Sequence, residues 1–174
     1  ECTPSRSALM TGRYGIRTRQ QPEGPPRGIW YGLTQWEITL AEMLSDTGYA
    51  TGMFGKWHLG DAEGRYPTDQ GFDEWYGIPN SSDQAFWPDS DSFQNDAGVE
   101  FTRIMTSKRN QKPEKHEVYG RAKRASIDRD ITDHALDFIS RKAKTKQPFF
   151  AYLPYTQTHE PVDAHPDFKG KTGN

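Results

Sequence analysis

The only cysteine of the chain, Cys2, opens the run Cys2-Thr3-Pro4-Ser5-Arg6-Ser7-Ala8-Leu9-Met10-Thr11-Gly12-Arg13. These residue types predict the start of a helix. Pro4 suits a first turn, where its missing N–H costs no hydrogen bond; Ser5 to Met10 can continue the helix, and Gly12 can end it. Cys2 then sits at or just before the helix N-terminus, where unpaired N–H groups and the positive end of the dipole favour an anion. Arg6, one turn on, adds a forked cation. A reactive side chain at a positive helix end beside an arginine points to attack on a negatively charged ester. Two further groups fit that chemistry. Lys56 and His58 close the segment Tyr49-Ala50-Thr51-Gly52-Met53-Phe54-Gly55-Lys56-Trp57-His58, which is short, aromatic and Gly-punctuated and reads as a buried strand. Two residues apart on an extended chain, they point to one side. His159 follows a second buried-strand pattern over 147–155.

Taken singly, each of these residues has a plainer reading. A lone Cys is usually a small buried hydrophobe, a lone Lys a surface charge and a lone His a structural group. Together they acquire a shared logic. Cys2 falls at a helix N-terminus, and Lys56, His58 and His159 fall at strand C-terminal ends. One parallel sheet brings all these ends to a single edge, and in open α/β sheets that edge binds ligands.

The motifs carry a resemblance as well. Cys-Thr-Pro-Ser-Arg followed by Leu-Met-Thr-Gly-Arg resembles the signature of the sulfatase family, and Gly55-Lys56-Trp57-His58-Leu59-Gly60 resembles its second signature at the right separation. Gly71-Phe72-Asp73-Glu74-Trp75-Tyr76-Gly77 is similar to a segment that follows the second signature. The stretch around His159 is similar to the family's strand followed by His-x-Pro. The resemblance covers most of the chain, apart from about Asn80 to Tyr119. It implies an α/β fold of the alkaline-phosphatase-like superfamily, with a mainly parallel sheet flanked by helices and rich in loops. It also implies that Cys2 is oxidised by a formylglycine-generating enzyme that reads Cys-x-Pro-x-Arg in the unfolded chain. The hydrated aldehyde would then be the nucleophile. Arg6 and Lys56 would stabilise it and the developing charge, His159 would assist the leaving alcohol, and His58 would take a proton as sulfate is expelled. A divalent cation, usually calcium, would bind the sulfate and a formylglycine oxygen, which makes residue 2 a metal ligand. The family's other metal-binding aspartates, its Asp-Asn/Gln pair and a further lysine are absent from these 174 residues. The expectation is therefore that this segment alone binds no metal tightly, is inactive and has an incomplete sheet.

Composition frames this reading. The chain begins inside a signature without a Met and stops without a finishing element, so it reads as an internal segment of a longer protein. Leu, Ile, Val and Phe make up only 27 of its residues, a low share. Disorder would come with large net charge and few aromatics, whereas here the net charge is −2 and aromatics reach 13%. That favours an aromatic-rich, loop-rich piece of an α/β protein. Near-neutral charge argues against general nucleic-acid binding, and no run is long and apolar enough to span a membrane. Family resemblance implies an exported protein, whether periplasmic, secreted or lysosomal.

The elements that must position these residues follow in order. Residues 13–30 read as a loop carrying Arg17 and Arg19, with solvent as their expected surroundings. Residues 33–49 read as a helix, with Thr39 and Glu42 as a capping box, a second legal start at Thr34 with Glu37, and Gly48 past the end. Residues 61–125 read as a polar loop and hairpin insertion, with a short strand over 99–105. Its carboxylates Asp83, Asp89, Asp91 and Asp96 lack the fixed spacing of a calcium loop and read as solvated. The basic run from Arg103 to Arg124 reads as a solvated face, with a subsite for a sulfated polyanion as the sharper alternative. Residues 126–144 form the strongest helix pattern, with Ile127, Ile131, Ala135, Phe138 and Ile139 on one stripe. His134 and His165 read as structural and surface groups. The expected function is hydrolysis of a sulfate monoester, either an aryl sulfate or a sulfated carbohydrate. The alternatives are a phosphonate or phosphate ester hydrolase of the same superfamily and a catalytically dead homologue that binds sulfated glycans.

Overall fold

The computed structural model describes residues 2–18, 32–85 and 101–171. The turn-rich stretch 20–28, Arg19, and the carboxylates Asp89, Asp91 and Asp96 lie outside the described residues. Among the described residues, three α-helices, α1 (Cys2–Thr11), α2 (Leu40–Asp46) and α3 (Arg121–Thr145), accompany five strands. The strands are β1 (Ala50–Lys56), β2 (Glu74–Ile78), β3 (Arg103–Lys108), β4 (Glu114–Val118) and β5 (Phe149–Tyr152), forming one sheet in the order β4-β3-β2-β1-β5. β1 runs parallel to both β2 and β5, while β3 and β4 are antiparallel. The sheet is thus mixed, and its parallel part is the part that carries Lys56. The stretch expected as a polar insertion supplies more than a hairpin. Its Glu74–Ile78 segment is β2, seated between β1 and β3.

Local sequence explains each element. α1 starts at Cys2 and gives way at Gly12, whose φ of 67° is easy only for glycine. α2 is capped as its sequence predicts. The Thr39 side chain accepts from Glu42 N at 3.1 Å, and Glu42 Oε2 accepts from Thr39 N at 2.7 Å. The alternative start at Thr34 is only a turn, with Glu37 N donating to Thr34 O at 3.1 Å. α3 is longer than its apolar stripe and reaches back to Arg121.

The two faces of the sheet have separate cores. On one face Ile127, Ile131, Ala135 and Phe138 of α3 pack on Ala50, Phe54, Tyr76, Ile78 and Ile104. On the other face Met10 of α1 and Ala41 of α2 join Met53, Trp57, Phe72, Trp75 and Met105. Neighbouring strand residues go to opposite cores, as Met53 and Phe54 do, following the two-residue period of a pleated strand. β1 is buried along its whole length, the pattern of a strand covered on both faces.

At the edge where β1 ends, a glycine permits a close backbone approach. A Cβ at Gly55, whose φ is 137°, would lie 2.2 Å from Pro154 O. Only glycine lets β1 come that near to the chain leaving β5, where Lys56 N donates to Pro154 O at 2.9 Å. The opposite end is held by Arg109. Its guanidinium donates to Asp73 Oδ1 at 2.9 Å, Ser45 Oγ at 2.8 Å and Gly71 O at 2.6 Å.

Candidate active site

Cys2 is the first residue of α1 and is half-buried. Arg6 anchors this helix start to the sheet. Its Nη1 donates to Lys56 O at 2.6 Å and to the Tyr152 hydroxyl at 3.4 Å, so α1 begins over the C-terminal ends of β1 and β5. Burial pushes the Tyr152 hydroxyl above its ordinary pKa, against the opposing pull of Arg6. It therefore stays neutral and can only share a hydrogen bond.

Lys56, the last residue of β1, is 2% exposed. Its Nζ donates to Ser81 Oγ at 2.7 Å, and the Cys2 side chain lies near enough to act on its charge. Burial lowers its pKa, the Cys2 side chain opposes that, and the nearby Arg6 charge reinforces it. The structure thus brings Cys2, Arg6 and Lys56 into one place, as the motifs imply. Two cations at a helix N-terminus form a trap for an anionic ester and for charge that builds at residue 2.

His58 reaches the same edge by a different local geometry from the one its spacing predicts. β1 ends at Lys56, and His58 has a φ of 60°. The extended alternation that would place Lys56 and His58 on one side is therefore broken. The backbone turns because Trp57 N donates to Ile78 O at 3.0 Å and His58 N to Pro79 O at 2.8 Å, which carries the chain along the end of β2. His58 is buried, at 7% exposure. A left-handed non-glycine residue costs energy, and such residues cluster at functional sites.

His159 lies in the loop after β5, with its side chain 34% exposed. Its Nδ1 is 2.9 Å from Glu160 O. A carbonyl oxygen only accepts, so this contact assigns a hydrogen to Nδ1 and leaves Nε2 as the nitrogen not engaged by Glu160 O. A chain of side chains links it to Lys56. Ser81 Oγ, which accepts from Lys56, donates to Asp83 Oδ1, and Asp83 Oδ1 is 3.7 Å from His159 Nδ1.

The loop that carries His159 is held from below by α3. Arg124 is fully buried and donates to Thr156 Oγ1 at 2.7 Å, Thr156 O at 3.1 Å, Gln157 Oε1 at 3.3 Å and His159 O at 2.7 Å. One helical turn on, Asp128 accepts from Thr156 N, Thr156 Oγ1 and Gln157 N at 2.8–2.9 Å. Sequence reasoning missed both. The available signal was phase: position 124 falls on the same helical stripe as Ile127, Ile131 and Ala135, and a charge inside an apolar stripe needs buried partners. Ser81 had no comparable signal. Asp83 was visible only as one of several acidic loop residues.

The remaining candidates fall elsewhere. Lys108 pairs across from Glu74 at the start of β2, the sheet end opposite Lys56. Arg109 is committed to Asp73, Ser45 and Gly71, Arg121 to Asp163, and Lys123 to Glu117 and Asp130. These partners take up much of the charge offered for a polyanion subsite. His134 stacks on Tyr76 with ring centroids 3.8 Å apart, and burial lowers its pKa. His165 sits against Asp167 at 3.6 Å.

The divalent cation that the resemblance implies does not fit the described residues alone. Among them no group of three or more His, Cys, Asp and Glu side chains could hold a metal ion. The neighbours of Cys2 are two cations, whereas calcium takes about six to eight oxygen ligands.

Comparison with known proteins agrees with this geometry. The sequence profile of the family described as Sulfatase matches residues 1–174. N-acetylgalactosamine-6-sulfatase of Canis lupus familiaris is 34% identical over 176 aligned residues, covering 97% of this chain and 33% of that protein. Arylsulfatase G of Homo sapiens is 30% identical over 178 residues, covering 92% of this chain and 33% of that protein. The crystal structure of the PsFucS1 sulfatase from Pseudoalteromonas sp. superimposes with a TM-score of 0.80 at 26% identity, over 98% of this chain and 36% of that one. The chain spans about a third of the length of the relatives it matches.

Proposed function

The chain belongs to the sulfatase family, and on that premise we propose that the intact protein hydrolyses sulfate monoesters at the edge where Cys2, Arg6 and Lys56 meet. The observation that carries this reading is the Lys56 ammonium. It is buried at the end of β1, beside Cys2 at the first residue of a helix whose Arg6 donates to Lys56 O. An anion with a reacting centre near residue 2 meets positive charge from three sources, and little water competes with it.

Sulfatases as a family use a divalent cation and formylglycine. Once Cys2 is converted, the hydrated aldehyde supplies the nucleophilic hydroxyl. Lys56 holds the oxygen at residue 2 and offsets negative charge as it grows. Arg6 fixes the helix start and adds its charge to the anion site. His159, as the imidazolium with Nδ1–H held by Glu160 O, delivers its Nε2 proton to the leaving alcohol oxygen. His58 takes up the proton of the residue-2 hydroxyl as sulfate departs. The names of the relatives support a sulfated carbohydrate as the natural ester. Family habit supports an exported or lysosomal location and maturation by a formylglycine-generating enzyme. No helix among the described residues is long and apolar enough to cross a membrane.

The test is release of sulfate from 4-nitrophenyl sulfate by the intact protein, compared with release of phosphate from 4-nitrophenyl phosphate. It is paired with the mass of the tryptic peptide that contains Cys2. Sulfate release with an aldehyde or hydrate mass is expected. Preferential phosphate release would move the activity to the phosphate or phosphonate branch. An unmodified thiol in active protein would overturn the formylglycine chemistry.

A further inference from the structure

We propose that Asp83 is a positioning residue for the leaving-group step: it holds His159 through its carboxylate and couples that histidine to Lys56 through Ser81. The proposal rests on the sulfatase reading above. Three observations converge on it. Lys56 Nζ donates to Ser81 Oγ at 2.7 Å, and Ser81 Oγ donates to Asp83 Oδ1. The same Asp83 oxygen faces His159 Nδ1 at 3.7 Å. Finally, Glu160 O, at 2.9 Å, accepts the hydrogen on Nδ1, so the carboxylate lies beside the protonated side of the ring and Nε2 is turned away from it.

This arrangement matters at one moment of the reaction. As the S–O bond to the alcohol breaks, the proton on Nε2 passes to the leaving oxygen and the imidazolium becomes neutral imidazole. Before that transfer the ring carries a positive charge, and a fixed carboxylate at Nδ1 stabilises and orients it. Asp83 exchanges no proton in the step. It sits on the short turn Ser82–Gln84 directly after Ser81, so one short segment sets both the partner of Lys56 and the partner of His159. The Asp83 side chain is 52% exposed, so a change from Asp to Asn there leaves the packed cores untouched. Its charge faces His159 Nδ1 and, from farther off, also favours the buried Lys56 ammonium; the two roles separate in the test, because only the loss at His159 depends on the leaving alcohol.

The experiment uses the intact protein with Asp83→Asn, which keeps an oxygen for Ser81 and removes the charge. kcat/KM is measured on 4-nitrophenyl sulfate, whose alcohol leaves without help, and on phenyl sulfate, whose alcohol needs a proton. The ratio of the two constants is taken within one preparation, so partial loss of folded protein does not alter it. The expected result is a loss of about 10-fold or more on phenyl sulfate against about 2-fold on 4-nitrophenyl sulfate. Equal losses on both esters, or none, overturn the proposal. Ring 15N shifts of His159 in the same two proteins give a second readout that needs no turnover. They should differ between wild type and Asp83→Asn, and identical shifts also overturn it. Loss of the sulfatase reading would show separately, as a wild type that releases no sulfate from either ester while the 15N comparison still decides the placement of His159.

Discussion

Replacing Arg124 by Met should damage both stability and turnover, for one reason. Arg124 is 0% exposed, and its guanidinium reaches four acceptors in the 156–159 segment. Two of these contacts, to Thr156 Oγ1 and His159 O, are 2.7 Å long. Hydrogen bonds with a charged partner are worth about 1.5–3 kcal/mol each, so the short pair contributes about 3–6 kcal/mol. Methionine also removes the cost of keeping an ion away from water, which offsets several kcal/mol. It leaves buried oxygens unsatisfied, at about 1–3 kcal/mol each. The net expectation is a loss of about 3 kcal/mol in unfolding free energy. His159 O loses its anchor at the same time. With the imidazole no longer fixed toward the leaving oxygen, kcat/KM should fall by about 100-fold, the lower end of what proton transfer contributes. Urea unfolding of the intact protein gives the first number, and sulfate release well below the unfolding midpoint gives the second. A variant that unfolds earlier but keeps wild-type kcat/KM would refute the argument, because the loop would then place His159 without the clamp.

Lys56→Met should abolish turnover and leave the protein at least as stable as wild type, since it removes a buried charge while filling the same space. Because burial lowers the Lys56 pKa, the folded state binds that proton less tightly than the unfolded state. Wild-type stability should therefore gain on the variant as pH rises from the lowered value towards 10.5; unfolding midpoints that track each other across that range would contradict this. Lys108→Glu should leave KM for a sulfated polysaccharide unchanged, because Lys108 lies at the far end of the sheet, and a clear rise in KM would bring back the polyanion subsite. Arg109→Ala should cost about 1–2 kcal/mol through its lost hydrogen bonds, read by urea unfolding, with kcat unaffected.

The parts of this structure that were legible in sequence are those governed by short-range rules. The Thr39–Glu42 capping box, the glycine ends of α1 and α2, and the α3 stripe all depend on residues a few positions apart, and they stand where local chemistry puts them. Cys2 and Lys56 fall at one edge because a helix start and a strand end meet there. What failed depended on contacts across the chain. The alternation argument for His58 assumed that the strand continues, whereas the end of β2 captures the backbone at Trp57 and His58. β2 itself was hidden inside a polar stretch, because its partners come from β1 and from β3. The Arg124 clamp joins residues 32 to 35 positions apart, and no local pattern announces its acceptors. Lys108 and Arg109 looked like a patch in sequence because spacing does not show which end of a strand they occupy.

The anchor between Arg6 and Tyr152 also has a consequence in time. The two residues are 146 positions apart, so the helix start that carries Cys2 cannot be secured to β5 until almost the whole segment has been made. At about 5–20 residues per second of synthesis, that gap lasts about 7–30 s. For the proposed maturation enzyme, which would read Cys-x-Pro-x-Arg in an extended chain, those seconds would be a working interval. Once the bonds from Arg6 to Lys56 O and Tyr152 form, the signature becomes the first turn of a packed helix. On the proposed reading that Cys2 is converted in the unfolded chain, the bonds that assemble the site would also close the period for that conversion.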